Sequence, residues 1–242
     1  MTAVQHNLLA FDTSTDQMSV AVQRGADGQR FVHTGAGGAQ SSATLIPTVQ
    51  ALLAQAGLGL GDLQAIVFGR GPGSFTGLRT ACAVAQGLAW GAGVPVLPVD
   101  TLRAVAEAAR QSQPAAHDAR RVLALLDARM GEVYAAEYAF SPAAGWQALG
   151  DAAVLPPEAL AAPPAGTLLA GHAAAVYDAR LPAAVRALPR ADVLPTAAAL
   201  LDLAPALLAA GHAVPAEQAL PLYIRDKVAQ TTAERSAAGL PR

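Results

Sequence analysis

The chain has 242 residues, 53 % of them apolar and 14 % charged, with a formal net charge of −2. With Cys82 as the only cysteine no intrachain disulfide can form, no window holds the roughly 18 strongly apolar residues of a bilayer crossing, and Met1 to Phe11 lack the basic start of a signal peptide. Lys227 is the only lysine and the arginines form no dense run, which argues against a stand-alone nucleic-acid binder, so the expectation is a cytosolic globular protein.

Leu8-Leu9-Ala10-Phe11 is a short apolar run closed by Asp12, and Thr13-Ser14-Thr15-Asp16 reads as a turn. Alternation over Met18–Val22 and again over Arg30–Thr34 predicts two more strands of an antiparallel meander. A helix is expected from about Thr44 to Ala56, with Pro47 in its first turn, where a missing N–H costs nothing, and Gly57 as its stop. Ala65–Phe68 is a buried strand running into Gly69-Arg70-Gly71-Pro72-Gly73-Ser74-Phe75-Thr76-Gly77. A helix over about Thr76–Trp90 follows, ended by Gly91 and Gly93, and then a strand over Val94–Val99. The order β-β-β-α-β-α-β predicts an α/β fold, a mixed sheet with helices on its face.

After a helix near Thr101–Arg110 and a polar linker, Val122–Asp127 is again an apolar run closed by Asp, followed by a break and the alternating strand Val133–Phe140. The segments Leu8–Asp12 and Leu123–Asp127 read as one duplicated β-hairpin, its turn about two residues shorter in the second copy. An apolar strand that merely happens to end in Asp would look similar. Duplication predicts two related domains with a cleft between them: residues 1–105, with a helix from about 195–213 as a candidate to complete that domain, and a smaller domain over 106–242. The stretch from Ser141 to Leu220 is rich in Ala and Pro; Thr167–Gly171 suggests a strand and Pro195–Gly211 a helix interrupted at Pro205. Pro221–Arg225 reads as a compact terminal element and the tail beyond Gln230 as frayed.

Two loops could hold a phosphate. Gly71, Gly73 and Ser74 sit between a strand and a helix N-terminus, where backbone N–H groups favour an anion. The loop lacks the lysine of a P-loop and the glycine spacing of a dinucleotide fingerprint, and the same glycines would also let a turn pass close to a neighbouring strand. Asp12, with Thr13 and Ser14, stands where sugar kinases and actin-like ATPases place an acid that orients metal and nucleotide; an Asx-turn closing the hairpin is the simpler alternative. His6, His33, His117, His172 and His212 form no helical i, i+3 or i, i+4 pair, so no metal site is expected. No Gly-x-Ser-x-Gly elbow occurs, and Cys82 reads as a buried thiol, so no catalytic residues are assigned. The first two helices offer a candidate partner surface: Leu45, Val49 and Leu52 on one, and Thr76, Arg79, Ala83, Gln86, Gly87 and Trp90 on the other, where small residues would let another helix approach. Packing of these positions on the protein's own sheet is the competing explanation.

The segments Leu8–Thr15, Gly69–Arg79, Asp127-Ala128-Arg129-Met130-Gly131-Glu132-Val133-Tyr134 and Pro221-Leu222-Tyr223-Ile224-Arg225 together resemble, in order, the signature segments of bacterial TsaB proteins. These are accessory subunits for making threonylcarbamoyladenosine in tRNA. The resemblance is strong through about residue 140 and at 221–225, and loose between. It implies the duplicated RNase H-like, actin-like (ASKHA) two-domain fold shared with the catalytic relative TsaD. It also implies a heterodimer with TsaD, a third ATPase component TsaE and contact with tRNA only through the complex; no membrane is expected from the composition, and an apolar patch left without its partner predicts a homodimer when the chain is isolated. In the catalytic relative a metal-binding His-x-x-x-His pair follows the strand matching Val94–Val99; here Thr101 and Val105 stand in those places, and neither can coordinate a metal. ATP and metal would then belong to the partner subunits, with no cofactor on this chain. Many relatives carry a His-Ser or His-Thr pair before the first helix, where this chain has Ser41-Ser42. The resemblance thus implies a non-catalytic subunit. The rival is a small nucleotide-dependent enzyme, kinase-like or glycoprotease-like, using Asp12 and the 71–77 loop. A dimeric domain with vestigial pockets and no link to tRNA is a third possibility.

Overall fold

The computed structural model describes residues 6–112 and 121–225. The expectation for the tail beyond Gln230 and most of the polar linker lie outside the described residues.

The first sheet takes its strands in the order β3-β2-β1-β4-β5, from β1 (Leu8–Asp12), β2 (Gln17–Gln23), β3 (Arg30–Ala36), β4 (Ala65–Gly71) and β5 (Val96–Asp100). β1 pairs antiparallel with β2 and parallel with β4, and β4 pairs parallel with β5. The second sheet runs β11-β10-β6-β7-β8, built from β6 (Arg121–Arg129), β7 (Glu132–Ser141), β8 (Gly145–Ala148), β10 (Leu168–Ala170) and β11 (Arg190–Ala191), while β9 (Ala153–Leu155) pairs with β7. β6 is antiparallel to β7 and parallel to β10, which is parallel to β11. Strand for strand the second sheet repeats the first, and the two halves are copies in topology. Two residues separate β6 from β7 where four separate β1 from β2.

Because successive side chains on a strand point to opposite faces, the apolar run Leu8-Leu9-Ala10-Phe11 feeds two cores. Leu9 and Phe11 face outward, under α1 (Ser41–Ala56) and α2 (Phe75–Ala92). Leu8 and Ala10 face inward, into a core shared with Val122, Ala124 and Leu126 of β6 and with α3 (Thr101–Ser112) and α6 (Ala197–Ala209). The far face of the second sheet is covered more thinly, by α4 (Ala173–Val176), α5 (Ala183–Arg186) and Leu160. The layers are therefore helix pair, sheet, helix pair, sheet, and short helices with loops.

The structure bears on three expectations. The boundary at 105/106 falls inside the continuous helix α3, which packs on strands of both sheets. The helix expected over about 195–213 as a candidate to complete the first domain is α6, and it does lie on the first sheet. α6 lies against β1, β2, β4 and β5 as well as α3, because its Ala197, Leu200, Leu201 and Ala204 are buried in the shared core. The chain then returns along the first lobe through a bridge from Val214 to Val96, and Ala219 accepts hydrogen bonds from Cys82 Sγ at 3.2 Å and Gln86 Nε2 at 2.8 Å. Third, α1 begins at Ser41, so Pro47 lies in its second turn and not its first; and Pro221–Arg225 has no regular secondary structure. Among the described residues no helix is long and apolar enough to cross a membrane.

Candidate functional site

The duplicated β-hairpins meet across a cleft between the lobes, and both turns are closed by the same device. Asp12 Oδ1 accepts the Ser14 backbone N–H at 2.8 Å, and Asp127 Oδ1 accepts the Arg129 N–H at 2.8 Å. Beyond that the copies diverge. In the first, Ser14 Oγ also donates to Asp12 Oδ1 at 2.6 Å, Thr101 Oγ1 lies 3.5 Å from Asp12 Oδ2, and Thr13 Oγ1 donates to the Gly77 carbonyl at 2.7 Å. The 69–77 loop then folds directly onto this turn. A Cβ at Gly69 would lie 1.8 Å from Asp12 Oδ2, one at Gly73 2.6 Å from the Ser14 carbonyl oxygen, and one at Gly77 1.8 Å from the Thr13 carbonyl oxygen. The glycines exist here for interlocking. Burial raises the Asp12 carboxyl from 3.8 to about 6, partly offset by the hydrogen bonds from Ser14 and Thr101.

Of the residues expected to cradle a phosphate, Asp12 and Thr13 are closed off from solvent and turned to the protein's own groups. Gly71, at φ 119°, is pressed against the Leu222 carbonyl. Ser14, Gly73 and Ser74 reach the inter-lobe cavity, which measures ≈ 480 Å³. Across from them stand Arg129, Met130 and His172 of the second lobe, and the rim is completed by Phe75, Arg79, Tyr223 and Arg225.

Each of these rim groups is held in place. Arg129, Met130 and Gly131 have successive left-handed backbones, φ 63°, 55° and 74°, which costs the two non-glycine residues about 1 kcal/mol each. The tip is pinned by Arg225, which pairs with Glu132 at 2.6 Å and donates to the Ala128 carbonyl at 3.1 Å, and by Arg180, which donates to the Gly131 carbonyl at 2.9 Å. Arg129 reaches across the cleft to Asp16 at 3.0 Å. Arg79 lies 3.7 Å over the Phe75 ring and donates from Nε to the Tyr223 hydroxyl at 3.1 Å; Phe75 and Tyr223 are themselves 5.4 Å apart. His172 Nδ1 is buried without a hydrogen-bond partner, and burial lowers the imidazole's basicity. Among the described residues no three His, Cys, Asp or Glu side chains converge as a metal site.

The expected partner surface divides in two. Leu45, Val49 and Leu52 are buried in the outer core of the first lobe, where α1 packs on the sheet, and are corrected here to core residues. On α2, Thr76, Arg79, Ala83, Gly87 and Trp90 form an exposed stripe, with Trp90 76 % exposed. Gln86 is half-buried and engaged with Ala219. Sequence reading missed Met130, His172 and Tyr223 as cleft residues. The nearest signal was positional: His172 follows Gly171 at the end of β10, as Arg70 follows Gly69 near the end of β4.

Two topologically equivalent lobes clasping shared helices, with facing Asp-closed hairpins, define the class: a duplicated, actin-like α/β protein. The family described as "TsaD: tRNA N6-adenosine threonylcarbamoyltransferase" matches residues 29–233. The chain is 36 % identical over 229 residues to the Escherichia coli tRNA threonylcarbamoyladenosine biosynthesis protein TsaB, covering 92 % of this chain and 96 % of that one. It is 45 % identical over 129 residues to the protein of the same name from Haemophilus influenzae, covering 52 % of this chain and 51 % of that one. The solved structure of YeaZ from Pseudomonas aeruginosa superposes with a TM-score of 0.81 at 40 % identity, covering 90 % of this chain and 99 % of that one. The chain belongs to the TsaD family, in the branch of its TsaB relatives.

Proposed function

We propose that this chain is the non-catalytic subunit of a tRNA threonylcarbamoyladenosine synthesis complex, holding a TsaD subunit that transfers threonylcarbamoyl from its adenylate to the adenosine beside the anticodon. The observation that carries the reading is the uncovered face of α2. Ala83 and Gly87 present almost no side chain, a Cβ at Gly87 would meet nothing within 4 Å, and Trp90 stands exposed beside them. Such a face accommodates a closely packed partner helix, and Trp is among the residue types enriched at interfaces. The names of the TsaB relatives point to the same process.

The assignment of chemistry to the partner is supported by Thr101 and Val105, both fully buried, the first tied to Gly71 N at 3.1 Å and the second packed in the shared core. Neither offers a metal ligand to the cleft. On this reading ATP, metal and the TsaE component belong to partner subunits, tRNA is reached through the complex, and the same face would self-associate when TsaD is absent. The rival, a nucleotide-dependent enzyme built on Asp12, is disfavoured because that carboxyl is enclosed by the chain's own turn.

Ala83→Glu and Gly87→Glu are expected to weaken the complex with TsaD by at least about tenfold by gel filtration and calorimetry, while Gly87→Ala keeps it. Wild-type affinity in both charged variants overturns the interface. Tight magnesium–ATP binding with turnover by the isolated chain would favour the rival.

A further inference from the structure

We infer that the inter-lobe cavity is a binding site for a small organic anion with a flat apolar body, held by Arg79 at its charged end. The site is distinct in chemistry from a nucleotide–metal cleft. The Asp12 turn and the 69–77 loop interlock with no gap, since a single Cβ at Gly69, Gly73 or Gly77 would collide. A metal-bound triphosphate therefore has no channel between the two loops. What remains open is the ≈ 480 Å³ space on the cleft side of them, within the range that encloses a small organic molecule.

Its walls select for an anion. Of the three arginines that line it, Arg129 is matched by Asp16 and Asp127, and Arg225 by Glu132. Arg79 makes no ion pair among the described residues. Its guanidinium is instead oriented by stacking on Phe75 and by the Tyr223 hydroxyl, which fixes direction without neutralising charge. His172 also lines the cavity, but its Nδ1 is buried beneath the surface, so the ring serves as wall and that nitrogen is not within reach of a bound molecule. α2 adds its positive end on the same side, since no side chain caps it and no acid stands in its first turn. Leu78, Leu126, Tyr134, Met130 and Leu222 supply the apolar walls. An unmatched arginine beside an apolar enclosure, with the Phe75 and Tyr223 rings at the rim, describes a carboxylate or phosphate carried on a planar apolar group.

The test is titration of the full, 15N-labelled chain with benzoate, phenyl phosphate and neutral benzyl alcohol, following amide shifts, with magnesium–ATP as a fourth probe. At least one anion is expected to give saturable shifts at cavity residues, and the tighter of the two tells carboxylate from phosphate. Arg79→Gln is expected to weaken that anion by about tenfold, the loss of one charge-assisted hydrogen bond, and Arg79→Lys, which keeps the charge without the stacked fork, to recover part of it. The inference is overturned by shifts that fail to saturate below about 10 mM for both anions, by equal binding of benzyl alcohol, or by tighter binding of magnesium–ATP than of either anion. Wild-type affinity in Arg79→Gln overturns it equally. None of these readouts depends on TsaD, so the outcome is separate from that of the partner assignment.

Discussion

Asp12 shows how one residue can be conspicuous in a sequence for one reason and be used for another. An acid at a strand end followed by three hydroxyl-bearing or short polar residues suggests a ligand site. In the structure the hydroxyls of Ser14 and Thr101 and the backbone of Ser14 turn inward to satisfy that acid. Its burial has a measurable consequence. The folded carboxyl is held at about 6, above its ordinary 3.8, so between roughly pH 4 and 6 the folded chain keeps a proton that the unfolded chain has released. This group therefore favours folding most at low pH, and the contribution drains away as pH rises through 6. Asp12→Asn, which preserves the acceptor and stays neutral, is expected to raise stability at pH 7.5 by up to about 3 kcal/mol, with the difference closing towards pH 4. Urea unfolding across that range checks it, and a difference independent of pH would contradict it. The leucine and valine positions of α1 carry the complementary lesson. An apolar face on a helix announces burial, and only the three-dimensional arrangement says that Leu45, Val49 and Leu52 are buried by the protein's own sheet.

Elements were legible where a physical signal spans enough residues. β1, β4 and β6 are apolar runs feeding a core on both faces, β2 and β7 alternate, and α2 and α3 begin and end within two residues of their expected bounds. The outer layer of the second lobe was not, because β8, β9 and β11 have four, three and two residues and α4 and α5 four each, too few for a period to register. The candidate site was half legible. The two Asp-closed turns and the glycine loop stood out, while Met130 and His172 join it only through the β6–β7 tip and the loop after β10. That tip is strained by its non-glycine residues. Met130→Gly is expected to stabilise the isolated chain by about 1 kcal/mol, read from its melting temperature, because glycine adopts φ 55° without penalty. A loss of stability would mean that the Met130 side chain, 71 % exposed, packs more usefully than its exposure suggests.

At the scale of the molecule, the lobes are held together by what lies between them. The Arg129–Asp16 pair that spans the cleft is exposed on both sides, a geometry worth at most about 1 kcal/mol. α3 and α6, by contrast, bury Leu102, Val105, Leu200 and Leu201 in a core to which both sheets contribute. Leu200→Ala is expected to cost about 3 kcal/mol and to lower both lobes together in one transition. Hydrogen exchange at strands of the two sheets would report this as matched losses of protection, whereas a loss confined to one sheet would mean that the lobes unfold independently.

Placing α6 near the end of the chain but against the first sheet also constrains how the protein can be made. While the ribosome is still extending residues 113 to 196, the inner face of the first sheet, with Leu8, Ala10, Val67 and Leu97, has no α6 to cover it. The amino-terminal half must wait in an incompletely packed state until residue 209 has cleared the exit tunnel. Nascent chains arrested before that point should be captured by holding chaperones and cut by proteases, and those released after it should resist both.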